Sequence, residues 1–244
     1  MLGLPDGTRA CLFDLDGVLT DTASVHAGSW KQMFDEFLAA RAARAGTSLR
    51  PFDVVTDYGP YVDGRPRLEG TREFLRSRGI GLPEGGPGDA PDAVTIHTLS
   101  TRKNDLVQEL IMTRGVDVYP GSVRYLHAVR AAGLTTAVVS SSANAAQVLE
   151  VAELTDHRVD GASAKERGLA GKPAPDTFLA AADLGVAREH AVVFEEAFAG
   201  VVAAKAGGFG AVIGVDRLDH ADALRAHGAD IVIADLVELL GEQA

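Results

Sequence analysis

Five short apolar runs, "ACLFDL", "LTTAVVS", "HAVVF", "GAVIGV" and "ADIVIADL", punctuate this chain. They are rich in β-branched residues and apolar almost throughout rather than alternating, the pattern of strands buried on both faces. Between the later ones lie Ala-rich helical segments such as "TFLAAADLG" and "AFAGVVAAKAGG". Strand then helix, repeated, predicts an α/β fold: a doubly wound parallel sheet with helices on both faces.

The region 22–115 breaks this rhythm. Trp30, Met33, Phe34, Phe37 and Leu38 recur at helical spacing and give one apolar face. "RKNDLVQELIMTRG" has the same character, and the Gly- and Pro-rich "GIGLPEGGPGDAPDA" between them reads as a loop. The sequence therefore predicts a core of residues 1–21 and 116–244, interrupted straight after its first strand by a helical domain of residues 22–115. A length of 244 residues accommodates such a domain within a domain.

The formal net charge of −11 argues against nucleic acid or an anionic membrane as partner. An anionic ligand would have to be held by a few placed cations or a metal. Cys11 is the single cysteine and sits in an apolar run, so no internal disulfide is possible and a cytoplasmic setting is expected. "MLGLPDGTRA" lacks the apolar segment of a signal peptide, and no run approaches membrane-spanning length.

Four strand ends carry the chemistry. The first run ends in Asp14 and Asp16, with Asp21 close behind. Ligands of an open parallel sheet bind at the carboxyl ends of its strands, where a carboxylate can attack phosphorus and a second can move a proton. Alone, these acids serve equally well as caps for the following helix. The second run ends in Ser140, Ser141, Ser142 and Asn144, donors suited to phosphate oxygens or to an ordinary Ser-rich turn. In "AGKPAPD", Pro173 holds Lys172 in an extended segment and Asp176 is a natural cap for the next helix. Such a lysine either neutralises a phosphoryl group or is a solvated surface charge. The run "HAVVF" ends in Glu195 and Glu196, oxygen ligands that suit Mg²⁺ or simple surface charge.

Taken in order, these elements resemble the haloacid dehalogenase superfamily of phosphoryl-transfer enzymes over nearly the whole chain. The resemblance implies Asp14 as nucleophile and Asp16 as general acid/base. It assigns Ser140 and Lys172 to the transferring phosphoryl group. It places Mg²⁺ on Asp14, the Asp16 carbonyl, Glu195 and Glu196, and leaves Asp21 a structural turn residue. "FDLDGVLTDTASVHAGSW", with Thr22, His26 and Trp30, looks like the opening of the β-phosphoglucomutase family. "DGRPRLEG" is similar to that family's substrate loop at Gly64 and Arg67, "RKND" to its cap signature at Lys103, and "SSSAN" to its phosphate loop at Ser140, Ser142 and Asn144.

This resemblance implies interconversion of β-glucose 1-phosphate and glucose 6-phosphate through bound glucose 1,6-bisphosphate. A helical cap would close over the sugar, His26 would couple closure to proton transfer, and Arg67, Ser142 and Asn144 would hold the second phosphate. A monomer is expected, since such closure needs no partner. Glu196 stands where the family usually has Asp, and Asp63 and Ala143 stand where it often has lysines. Those departures leave open a Mg²⁺-dependent sugar-phosphate phosphatase and, further off, a non-catalytic sugar-phosphate binder.

Overall fold

The structure is a computed structural model of the chain and describes residues 2–152, 154, 157–183 and 185–241. In chain order its elements are β1 (Ala10–Phe13), α1 (Ala23–Ala45), α2 (Tyr58–Tyr61), α3 (Arg67–Ser77), α4 (Ile96–Arg114), α5 (Pro120–Ala131), β2 (Thr135–Val139), α6 (Ala145–Val151), β3 (His157–Val159), α7 (Gly161–Glu166), α8 (Asp176–Ala182), β4 (Ala191–Glu195), α9 (Phe198–Gly207), β5 (Ala211–Val215), α10 (Ala221–His227) and β6 (Ile231–Ile233). Short 3₁₀ turns occupy Arg188–His190 and Leu236–Leu240. Contacts divide the chain into two compact units, Met1–Thr22 with Val116–Ala244, and Ala23–Gly115. The first crossing falls one residue later than composition suggests, because the Thr22 hydroxyl bonds to Asp16 and lies 2.8 Å from that of Thr20.

The first unit is a six-stranded sheet of order β3-β2-β1-β4-β5-β6, parallel throughout. This is the doubly wound arrangement that the alternating runs predict. Successive side chains of a strand face opposite ways, so the strands feed two cores. On one face Leu12, Val139, Val193 and Val212 pack with Phe178 of α8 and Val201, Ala203 and Ala204 of α9. On the other, Phe13 stacks on Phe194 at 4.7 Å, and Tyr125 of α5 meets both rings edge-on. Phe13, Phe194 and Tyr125 are fully buried, a contribution of about 2–3 kcal/mol each by transfer. The sequence reading missed β3, whose three residues include the exposed His157 and Arg158 and the single buried Val159.

The second unit is helical. Trp30, Phe34, Phe52 and Phe74 form its aromatic centre, with Phe34 and Phe74 4.1 Å apart. Helix α4 begins at Ile96, ahead of the "RKND" stretch, because Thr95 and Thr98 form a reciprocal capping box at its start. Asp57, buried to 2% exposure, is neutralised by Arg50 at 2.8 Å and Arg78 at 2.7 Å, tying the segment before α2 to the end of α3. Among the described residues, no helix is long and apolar enough to cross a membrane.

Candidate active site

The central strands β1, β2 and β4 are neighbours, so their carboxyl ends bring three of the sequence elements together. Asp14 follows β1 directly and donates its backbone N–H to the Phe194 carbonyl at 2.9 Å. Its side chain is 9% exposed. Lys172, 1% exposed, reaches in from the loop before α8 and is no surface charge. Its ammonium donates to Asp14 Oδ1 at 2.5 Å, to the Val139 carbonyl at 3.1 Å and to Glu195 Oε1. All three of its protons are thus placed.

Burial alone would depress this ammonium's pKa, but attraction to Asp14 and Glu195 and the hydrogen bonds it donates to both outweigh it and hold the lysine above its ordinary value. Asp14 meets the opposite balance. Burial, Glu195 and Asp16 push its carboxyl well up, and Lys172 offsets them only in part.

Lys172 stands in a turn, closed by the Ala174 N–H donating to the Gly171 carbonyl at 2.9 Å, where the sequence suggests an extended run. Asp176 is the first residue of α8, not its cap; Pro175 holds the cap position without a side-chain bond, and Asp176 complements the helix dipole instead.

Asp16 sits differently. The chain turns back on itself from Asp16 to Thr20, closed by Gly17 N–H donating to the Thr20 carbonyl at 2.8 Å. Thr22 donates to Asp16 Oδ1, and Ser140 Oγ lies 3.5 Å from Asp16 Oδ2. Thr20 backs Thr22 and also reaches the Leu15 carbonyl at 3.1 Å. Hydroxyls hold Asp16, whereas an ammonium holds Asp14. Asp21, at the exposed end of this loop, accepts from Tyr119 Oη at 3.1 Å.

The serine loop is shaped by its own side chains. Ser140 Oγ accepts from Ser142 N–H at 3.0 Å, and Ser142 Oγ from Asn144 N–H at 3.2 Å. Ser141 lies between them, and its carbonyl passes so close to Gly161 that a Cβ there would stand 2.5 Å away.

Glu195 Oε2 accepts from Ala197 N–H at 3.0 Å, so both of its oxygens have protein donors and it anchors Lys172. Gly200 of α9 makes room for it; a Cβ there would lie 1.8 Å from Glu195 Oε1. Glu196, 3% exposed, lies against Gly17. Gly17 has φ +80°, and a Cβ on it would stand 2.4 Å from Glu196 Cγ. An oxygen-only set of acids against one ammonium fits a hard divalent cation, which takes one or two protein carboxylates and keeps waters. Among the described residues, no group of three or more His, Cys, Asp or Glu side chains is arranged to hold a metal ion.

The remaining expected residues lie in the inserted unit. Lys103, 4% exposed, has its Nζ 2.6 Å from His26 Nδ1 and 5.0 Å from the Trp30 ring centroid. An ammonium can only donate, so His26 Nδ1 accepts and the ring carries its proton on Nε2. Arg67, at the start of α3, donates to Asn104 Oδ1 at 2.6 Å. Gly64 precedes it in the left-handed region at φ +65°. The sequence reading passed over Thr20, Glu195's bracing of Lys172, Asn104 and the Tyr119–Arg217 pair described below. Arg217 stands two residues beyond the end of an apolar run, the same signal that singled out Asp16.

Three comparisons show which known proteins the chain is similar to. The family profile described as haloacid dehalogenase-like hydrolase matches residues 8–208. A β-phosphoglucomutase of Mycobacterium bovis is 53% identical over 98% of this chain and 94% of its own length. One of Bacillus subtilis is 32% identical over 96% and 95%. A hydrolase of Pseudomonas syringae shares the fold with a TM-score of 0.74 at 21% identity, covering 96% of this chain and 97% of its own. The chain therefore belongs to the haloacid dehalogenase-like hydrolase family, within its β-phosphoglucomutase branch.

Proposed function

We propose that this protein is a phosphoryl-transfer enzyme that interconverts β-glucose 1-phosphate and glucose 6-phosphate, with glucose 1,6-bisphosphate as the bound intermediate. The observation that carries the reading is the contrast between two carboxylates two residues apart, Asp14 on a buried ammonium and Asp16 on threonine and serine hydroxyls. Pairs of acids held in unlike surroundings divide nucleophilic and proton-transfer work.

In this reading the phosphorylated Asp14 gives its phosphoryl group to the sugar 6-hydroxyl, whose proton passes to Asp16. Asp14 Oδ then attacks phosphorus at the C1 end. That P–O bond breaks, and Asp16 returns the proton to the leaving C1 oxygen, regenerating phospho-Asp14. The Ser140 hydroxyl and the amides of Ser141 and Ala143 donate to phosphoryl oxygens, and Lys172 balances the charge that Asp14 gains and loses. Arg67, braced by Asn104, is the cation assigned to the second phosphate, with Ser142 and Asn144 as further donors. His26, held in one tautomer by Lys103, is the residue assigned to coupling cap closure to the proton transfer by Asp16. Mg²⁺ is the cofactor this donor set suits: Asp14, the Asp16 carbonyl and Glu196 would hold it, the expected ligand Glu195 being committed to Lys172 and the Ala197 N–H, and it would neutralise charge on the transferring group.

A coupled assay tests the reading. β-Glucose 1-phosphate, Mg²⁺ and a trace of glucose 1,6-bisphosphate are supplied, and glucose 6-phosphate and free phosphate are followed together. Glucose 6-phosphate should form ahead of phosphate, require the bisphosphate and vanish in Asp14→Asn. Phosphate release alone would make the enzyme a phosphatase and overturn the mutase assignment.

A further inference from the structure

Arg217 lies two residues past β5, outside every element assigned to the chemistry, yet its side chain is only 15% exposed and fully engaged. Nε donates to the Gly17 carbonyl at 3.1 Å. One terminal nitrogen donates to the Ala234 carbonyl at 2.8 Å and pairs with Asp235 Oδ2 at 3.0 Å; the other donates to Ser122 Oγ of α5 at 3.1 Å. The guanidinium also lies flat against Tyr119, 3.7 Å from the ring centroid. Tyr119 N–H in turn donates to the Leu19 carbonyl at 3.0 Å, and Thr20 bridges to Val118.

These contacts converge on one loop. Gly17 directly follows Asp16 in sequence. Its N–H is closed onto Thr20 from inside the turn, and its carbonyl is gripped by Arg217 from outside. Leu19 and Thr20 are held through Tyr119 and Val118, and Tyr119 is itself clamped by the guanidinium. The far side of Arg217 is fixed on α5 and on the segment after β6, neither of which touches Asp16 through any bond named above. A planar fork with several fixed N–H directions can brace a loop from three sides; a lysine cannot.

We infer that Arg217 is a positioning residue: it fixes the turn 16–20 so that the Asp16 carboxyl meets the leaving oxygen in line for proton transfer. The inference rests on the reading of Asp16 as the proton-transfer group. Supporting groups of this kind matter because a misplacement of about 1 Å at a reacting group lowers rates by about a hundredfold.

The test compares Arg217→Met and Arg217→Lys with the parent in phosphorylation of Asp14 by two donors. Acetyl phosphate expels a weakly basic leaving group that needs no proton; a sugar phosphate expels an alkoxide that does. Loss of the brace should slow the sugar-phosphate reaction about tenfold to a hundredfold in kcat, with KM within about twofold. Phosphorylation by acetyl phosphate should change less than about threefold, and Lys should not rescue. Equal losses with both donors, full rescue by Lys, or an unchanged sugar-phosphate rate would overturn the inference. If Arg217→Met does not fold, Arg217→Lys and Tyr119→Leu carry the same comparison. Should the parent hydrolyse sugar phosphates rather than isomerise them, the mutase reading fails alone, because the ratio between the two donors is still read on phospho-Asp14 formation.

Discussion

Lys172→Met removes the one ammonium that Asp14 and Glu195 share and leaves a side chain of similar length in its place. At an effective dielectric of about 20, each contact is worth roughly 5 kcal/mol before the desolvation of the ions is set against it. Breaking such a pair by deleting one partner strands a buried charge and costs about 3–5 kcal/mol. An independent bound follows from proton binding. The stranded Asp14 can escape by protonating, which from an ordinary aspartate pKa takes about 4 kcal/mol at pH 7 and about 1.5 kcal/mol at pH 5. Glu195 retains its bond from Ala197 N–H and should contribute less.

The variant should therefore be up to about 4 kcal/mol less stable than the parent at pH 7, the deficit shrinking toward pH 5, because Asp14 is raised in the parent and further in the variant. Asp14 is already raised by burial, Glu195 and Asp16, and without Lys172 it rises further. The folded variant thus binds a proton that the unfolded chain does not. Its stability is fully present below the ordinary aspartate range and falls by about 1.4 kcal/mol per pH unit as pH rises toward the raised value. Lys172 itself, held above its ordinary value, contributes fully at both pH values and would be lost only in strong alkali. Urea denaturation with a chelator present, followed by far-ultraviolet circular dichroism, gives both differences. The triple variant that adds Asp14→Asn and Glu195→Gln should recover most of the loss. A deficit equal at pH 5 and pH 7, or below about 1 kcal/mol at pH 7, would refute the shared-charge account.

Gly17→Ala should destabilise the fold by about 2–4 kcal/mol, combining a left-handed backbone with a Cβ driven into the buried Glu196 stem; a urea midpoint matching the parent would refute the close approach. Lys103→Met should release the His26 tautomer, so that ¹⁵N spectra of the ring change from a single Nε2–H form to a mixture. An unaltered ring spectrum would sever the assigned Lys103–His26 bond.

The parallel sheet was legible because burial on both faces forces β1, β2, β4 and β5 to be written in apolar residues, and β6 is apolar as well although only Ile233 of it is buried. β3 escaped because a short edge strand needs only Val159 inside, and its His157 and Arg158 face outward. At the site, residue types at strand ends pointed to Asp14, Asp16 and Ser140, since position along a strand is nearly position in space, and the Lys-Pro step pointed to Lys172. What the reading could not supply was partnership across the chain: Lys172 with Glu195, Lys103 with His26, Arg67 with Asn104, and Arg217 with Gly17. Those pairs depend on where distant loops meet, and sequence spacing carries no trace of that. Asp176 illustrates the local limit, because a one-residue difference in where α8 starts turns a cap into a first-turn acid.

The two segments that lead out to Ala23–Gly115 and back are stitched together before they leave the core. Asp21 N–H donates to the Asp117 carbonyl at 2.9 Å, and Thr20 bridges to Val118. The insertion therefore begins and ends at nearly the same point, like a hairpin whose tip has been replaced by ninety-odd residues. A sheet built this way is indifferent to the size of what hangs from that tip, because strand order and register are complete without it. Such a scaffold can exchange one graft for another and keep its nucleophile, its serine loop and its lysine in register. Selectivity for the substrate can then diverge in one segment of the gene while the phosphoryl chemistry stays encoded in the rest.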